Sequence, residues 1–119
     1  MADAGVIVIV DDDPAILDSL KLLLEVAGHS VVTFLSTNAF LIDRTTQPAC
    51  VILDQDMPEM TGLEVVKRLR SEGSGVPILL VTDVLSPVIH AYAAQLGIEK
   101  VLEKPAKESE LMSFVGRHY

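Results

Sequence analysis

A chain of 119 residues fits one domain with a single two-sided core, and with 4% aromatics and no Trp that core has to be built from Val, Ile, Leu and Ala. A formal net charge of -8 excludes direct binding to nucleic acid or an anionic membrane, since both need a basic face. Cys50 is the single cysteine, so an internal disulfide is excluded, and a reducing, cytoplasmic setting is expected.

The N-terminal residues carry no basic region ahead of the apolar run Val6-Ile7-Val8-Ile9-Val10, so neither a signal peptide nor a membrane span is expected there. That run is entirely β-branched and predicts a buried parallel strand. Asp13-Pro14 reads as an N-cap followed by Pro at the first helical position. Behind it Ile16, Leu17, Leu20, Leu23, Leu24 and Ala27 fall at helical spacing, and Gly28 supplies the stop. A second strand is predicted from Ser30 to Phe34, then a short helix capped by Ser36 that carries Phe40 and Leu41 and ends before Pro48.

Cys50-Val51-Ile52-Leu53 predicts a central strand buried on both faces, with Cys50 in a packing role rather than as a reactive thiol. After Pro58, Gly62 opens a third helix with Leu63, Val66 and Leu69 inward and an outward Glu64–Arg68 pair at i,i+4. Gly73-Ser74-Gly75 breaks it, and Pro77 to Thr82 is a fourth buried strand. Ser86-Pro87 repeats the cap-plus-Pro signal for a helix through Leu96, stopped by Gly97. Lys100 to Glu103 is a short fifth strand, followed by Lys104-Pro105 and a last helix to about Arg117. Strand and helix alternate five times, which predicts a doubly wound (βα)5 flavodoxin-like sandwich with right-handed crossovers and a five-stranded parallel sheet in the order 2-1-3-4-5. Residues 1–119 read as a single domain, with no segment resembling a DNA-binding helix-turn-helix.

In such a sheet every carboxyl end opens on one edge. Asp54 ends the central strand there, because Pro58 lacks the donor a longer ladder needs, and Asp11 and Asp12 follow the neighbouring first strand. Three carboxylates in one crevice cannot all stay ionised without a cation. A hard, oxygen-seeking ion such as Mg²⁺ relieves the repulsion, whereas no second Cys or nearby His suggests zinc. Thr82 and Lys104 end the fourth and fifth strands on the same edge, and a hydroxyl and an ammonium beside a metal-bound carboxylate suit a phosphoryl group. Singly, a Thr at a strand end is a turn residue, a Lys before Pro is solvated, and an Asp before a helix is a cap, as Asp13 is read. Their joint placement at four strand ends is what caps alone seldom produce.

Val10-Asp11-Asp12-Asp13, Leu53-Asp54 with Met57-Pro58 and Gly62, Val81-Thr82 and Glu103-Lys104-Pro105 together resemble receiver domains of bacterial two-component response regulators over nearly the whole chain. The first helix, with Glu103-Lys104-Pro105, is similar to receivers of the nitrogen-fixation regulator type. The resemblance implies a signalling domain rather than an enzyme, in which Asp54 accepts a phosphoryl group from a phosphohistidine on a sensor histidine kinase or histidine phosphotransfer protein. It implies Mg²⁺ bound directly by Asp12 and Asp54, through water by Asp11, and by the backbone carbonyl of Asp56. Lys104 would pair with Asp54 and then with the phosphoryl oxygens, its loop held by a cis peptide at Pro105, while Thr82 swings in to the phosphoryl group. Hydrogen bonds to charged groups contribute roughly 1.5–3 kcal/mol each, and a switch from 1:99 to 99:1 takes about 5.5 kcal/mol, so Thr82 and Lys104 together reach a full switch only at the upper end of that range and a partial one below it.

The chain departs from the family pattern at the read-out. Val101 stands where an aromatic usually reports Thr movement, Asp83 where a small residue follows the switch Thr, and Ala106 where an aromatic often follows Lys-Pro. Asp56 adds an acid two residues after the acceptor, and Gln55 replaces a commonly apolar residue. The family's output surface is the fourth helix, fifth strand and last helix, where Val84 and Leu85 are expected to be exposed for a partner or a homodimer, with the Tyr92 ring packed in the core. The target is a downstream protein or an output domain absent from these residues. His29, His90 and His118 are expected to be solvated or half-buried. Two competing readings remain: a receiver-like binding module that works without phosphorylation, suggested by Val101 and Asp83, and a Mg²⁺-dependent phosphohydrolase with Asp54 as nucleophile and Asp56 as general acid.

Overall fold

Five β-branched and aliphatic runs form one parallel sheet because each is followed by a cap or turn that sends the chain back across a face. The computed structural model describes residues 5–43 and 45–119, so the expectation about a leader falls largely on residues 1–4, outside the described residues. The elements are β1 (Val6–Val10), α1 (Pro14–Val26), β2 (Val31–Phe34), α2 (Thr37–Ile42), β3 (Pro48–Asp54), α3 (Gly62–Ser71), β4 (Ile78–Thr82), α4 (Pro87–Gln95), β5 (Lys100–Glu103) and α5 (Glu108–His118). The sheet order is β2-β1-β3-β4-β5 with every pairing parallel, as the sequence predicts.

Period-two alternation sorts the side chains to two layers. Val8, Val10, Val51, Leu53, Ile78 and Leu80 pack with Phe40 of α2, Val65 and Val66 of α3 and Ala93 of α4. Ile7, Ile9, Cys50, Ile52 and Leu79 face the other way, onto Leu17 and Leu24 of α1 and Leu111, Phe114 and Val115 of α5. Cys50 is fully buried, and desolvation pushes its thiol up to about 12, which leaves it protonated and inert.

The caps hold as read. Asp13 accepts from the Ala15 N–H at 2.9 Å, Ser36 from the Ala39 N–H, and Ser86 from the Ile89 N–H. Gly28 closes α1 at φ 98°, with its own N–H on the Glu25 carbonyl and that of His29 on Leu24.

Two local expectations fail. Glu64 does not pair with Arg68: its carboxylate accepts from the Thr61 N–H at 2.8 Å while the Thr61 hydroxyl takes the Glu64 N–H, a capping box. Local backbone donors in fixed geometry outcompete a solvated ion pair, and Arg68 turns to Glu72 at 3.5 Å instead. The Tyr92 ring is not in the core but 56% exposed. α4 carries two apolar stripes; Ile89 and Ala93, continued by the cap residue Leu96, pack inward, so Val88 and Tyr92 on the other stripe face outward, joined by exposed Val84 and Leu85 of the preceding loop. No helix among the described residues is long and apolar enough to cross a membrane.

Candidate functional site

The site forms where β1, β3, β4 and β5 stop. Asp54 continues the Cys50–Ile52 row of β3 and is 3% exposed, with its Cα opposite Val81 of β4. The chain then turns sharply. The Gln55 N–H bonds the Val81 carbonyl at 2.8 Å, the Gln55 side chain accepts from the Leu63 N–H at 2.8 Å, and its carbonyl takes the Gly62 N–H. Gln55 therefore earns its place by fastening α3 under the turn, which an apolar residue does not do. Gly62 is needed at that contact: a Cβ would lie 2.6 Å from Leu80 Cδ1 and 2.8 Å from the Asp54 carbonyl oxygen.

Asp11 and Asp12 occupy the turn between β1 and α1. Asp11 is nearly buried and accepts from the Asp13 N–H at 2.9 Å, an Asx turn that aims its carboxylate inward. Asp11, Asp12 and Asp54 each bring a carboxylate oxygen within 4.8 Å of the others. Burial raises the Asp11 carboxyl above its ordinary value, the Asp13 N–H opposes this, and the Asp54 charge adds to it. The donor set is oxygen only and electrically uncompensated on the β1 side, which fits a hard divalent cation.

Lys104 follows β5, its N–H on the Thr82 carbonyl and its peptide to Pro105 in the cis form, as the resemblance implies. Its ammonium is 2.8 Å from Asp54 Oδ1, and 3.6 Å from both Asp56 Oδ2 and Asp83 Oδ1. Burial works against the charged form, but the hydrogen bond and charge of Asp54, then Asp83, then Asp56, outweigh it and hold Lys104 well above its ordinary value. Thr82 is buried at the end of β4, with its hydroxyl donating to the Val84 carbonyl at 3.2 Å rather than reaching toward Asp54. Val101 pairs with Leu80 on β5 and packs against the α2–α3–α4 layer.

Asp11, Asp12, Asp54, Asp56 and Lys104 thus gather at one rim, and Thr82 ends β4 there with its hydroxyl turned into its own loop. What the sequence reading lacked is the direction of the Asp56 side chain: it reaches across to accept the Asp83 N–H at 2.7 Å. The available signal was a pair of acids flanking two neighbouring strand ends, at positions 56 and 83. Beside the carboxylates, α1 and the loop before α5 leave a cleft of about 530 Å³, lined mainly by Ile9, Ala15, Ile16, Leu20, Pro105 and Ala106. Ala106 contributes only a methyl to that lining.

A parallel sheet wound 2-1-3-4-5, with an acidic pocket and one lysine at its carboxyl rim, defines a phosphoacceptor signalling module of the two-component kind. Residues 7–116 match the model of the response regulator receiver domain family, and the chain belongs to that family. It is 36% identical over 113 residues to the response regulator protein TodT of Pseudomonas putida, covering 94% of this chain and 50% of that protein. It is 35% identical over 119 residues to the transcriptional regulatory protein FixJ of Bradyrhizobium diazoefficiens, covering 97% of this chain and 57% of that protein. The chain therefore spans about half the length of the curated relatives it matches. Among solved structures, the CheY-like receiver domain protein of Methanospirillum hungatei superposes with a TM-score of 0.87 at 26% identity, over 95% of this chain and 91% of that one. The chemotaxis protein CheY4 of Vibrio cholerae gives 0.83 at 29% identity, over 97% and 98%.

Proposed function

We propose that this domain is phosphorylated on Asp54 by transfer from a phosphohistidine of a sensor histidine kinase or histidine phosphotransfer protein, and that the modification resets an interaction surface. The single observation that carries this reading is the buried Asp54 carboxylate held at 2.8 Å by Lys104 within reach of two further acids. Lys104 and the Asp56 N–H both sit on Oδ1, at 2.8 and 3.0 Å, so Oδ2 is the oxygen left to attack phosphorus. As the new O–P bond forms, the P–N bond breaks and the imidazole leaves. Asp12 and Asp54, with Asp11 behind them and the Asp56 carbonyl beside them, would hold Mg²⁺. When bound, that ion supplies positive charge that offsets the negative charge on the transferring group. Lys104 turns from carboxylate to phosphoryl oxygens, and Thr82 exchanges the Val84 carbonyl for the phosphoryl group. With Val101 in place of a ring, movement of Thr82 passes to the β4–α4 loop itself rather than to β5.

The exposed stripe of Leu85 in the β4–α4 loop with Val88 and Tyr92 on α4 is the surface best placed to read that loop, through a downstream protein, an output domain outside residues 1–119, or a homodimer over α4, β5 and α5. A cytoplasmic setting follows from such partners and agrees with a buried thiol rather than a disulfide.

Incubation with Mg²⁺ and acetyl phosphate, followed by intact mass measurement, tests the reading. A labile adduct of one phosphoryl group is expected in the wild type and is absent from Asp54→Asn. No adduct with any phosphodonor would leave the phosphorylation-independent module, and rapid turnover of unrelated phosphate esters would indicate the phosphohydrolase.

A further inference from the structure

The transfer reading leaves the Asp56 and Asp83 carboxylates beside Lys104 without a task. Asp56 follows the acceptor by two residues, yet its side chain does not turn to solvent. Its Oδ2 accepts the Asp83 N–H at 2.7 Å, among the shortest backbone-to-side-chain bonds in the molecule, and lies 3.6 Å from the Lys104 ammonium. One anionic oxygen from the β3–α3 loop therefore sits between the first amide after β4 and the cation after β5. Asp83 completes the arrangement by placing its own carboxylate 3.6 Å from Lys104. Immediately before it, the Thr82 hydroxyl is spent inside the same loop, on the Val84 carbonyl.

We propose that the Asp56 carboxylate is a positioning residue that stands in for the phosphoryl group while Asp54 is unmodified. This inference rests on the reading of Asp54 as phosphoacceptor and deepens it. A phosphoryl group on Asp54 brings new anionic oxygens into the space bounded by Asp56, Lys104 and the β4–α4 loop, and a single ammonium is there to meet them. Two anions sharing that ammonium repel one another at close range. The stronger, multiply charged acceptor draws Lys104 and frees the Asp83 N–H from Asp56. Release of that bond loosens the segment that holds the Thr82 hydroxyl against Val84. Asp56 thus couples the charge state of the acceptor to the position of the β4–α4 loop through one backbone hydrogen bond, in a chain whose fifth strand carries no ring to do so.

Amide exchange of Asp83 by two-dimensional NMR, read together with adduct yield from a limiting amount of acetyl phosphate with Mg²⁺, tests the proposal. In unphosphorylated Asp56→Ala the Asp83 amide should exchange about tenfold faster than in the wild type, the loss expected for one hydrogen bond to a charged acceptor. Asp56→Asn, which keeps an acceptor oxygen but no charge, should restore most of that protection. Both variants should accumulate severalfold more adduct than the wild type, because one anion fewer competes with the phosphoryl group for Lys104, Asp83 alone remaining beside the acceptor; a purely structural contact would not raise the yield. Equal Asp83 exchange in wild type and Asp56→Ala, or an unchanged yield in both variants, overturns the inference while leaving Asp54 as the acceptor. No adduct in any of the three proteins overturns the acceptor reading and this role with it.

Discussion

The two rims of the sheet are built from the same kinds of residue and balance their charges in opposite ways. At the amino rim, where the strands begin, charged groups meet carbonyls or ions of the opposite sign. Arg70 Nε donates to the Leu96 carbonyl at 2.8 Å and its Nη1 to the carbonyls of Ser74 and Val76 at 3.1 and 3.0 Å, tying together the segments that enter β4 and β5. Glu99 takes both Arg117 and His118 of α5 at 2.7 Å. At the carboxyl rim one ammonium serves Asp54, Asp56 and Asp83, and Asp11 and Asp12 form no ion pair among the described residues. Folding alone favours the first arrangement, since buried like charges raise the free energy of the native state. An imbalance concentrated at four strand ends suits a rim that receives a cation, as the cluster of Asp11, Asp12 and Asp54 would.

The largest effect that sharpens this contrast comes from Mg²⁺. Saturation to a hundred times the dissociation constant should stabilise the fold by about 2.7 kcal/mol, seen as a rise in Tm. Asp12→Ala should abolish that rise, whereas Glu99→Ala at the other rim should keep it. A rise that survives in Asp12→Ala would break the comparison at its centre. Next in size are two glycines. Gly62→Ala forces a Cβ against Leu80 and the Asp54 carbonyl, both fixed by the core, and should cost about 1–3 kcal/mol in urea unfolding while lowering adduct yield. Gly28→Ala meets no atom within 4 Å, so its cost is the left-handed backbone alone, about 1–2 kcal/mol, with adduct yield unchanged. If the two variants lose stability and phosphorylation in parallel, Gly62 has no special tie to the acceptor.

Most of the fold was legible because each strand is a short β-branched or aliphatic run and the helices that follow β1 and β4 start with a cap and Pro. The carboxyl rim was legible for a topological reason: in a parallel sheet, residues that end strands 1, 3, 4 and 5 meet whatever the loops do. What escaped depends on directions that loops decide. The bond from the Asp83 N–H to Asp56 spans 27 positions and follows no periodicity. Leu85-Val88-Tyr92 and Ile89-Ala93-Leu96 are both apolar at helical spacing, so pattern alone does not say which packs inward. Glu64 had two local partners to choose between, and the backbone donor three residues before it won.

The smallest predicted effects also divide the rims most cleanly, because they differ in sign. Burial first, then the neighbouring Asp54, raises the Asp11 carboxyl above its ordinary value of 3.8. Between that value and the raised one the native state binds more protons than the unfolded chain, so without Mg²⁺ this group's contribution falls as pH rises through the window. Asp11→Asn should therefore gain stability over the wild type as pH climbs from about 3 to about 6. Glu99 behaves in reverse. Desolvation is the largest single influence and opposes it, but the hydrogen bonds and charges of Arg117 and His118 together lower its carboxyl below the ordinary 4.5. Its contribution is present above that value and lost as pH falls through the lowered one, so Glu99→Gln should lose stability relative to the wild type over the same climb. The pair is solvent-screened, which limits the loss to about 0.2–1 kcal/mol. Urea midpoints of the three proteins across that range give the two slopes directly. Slopes of the same sign would mean that the carboxyl rim is compensated as the amino rim is, and that its charge imbalance is not held in reserve for a cation.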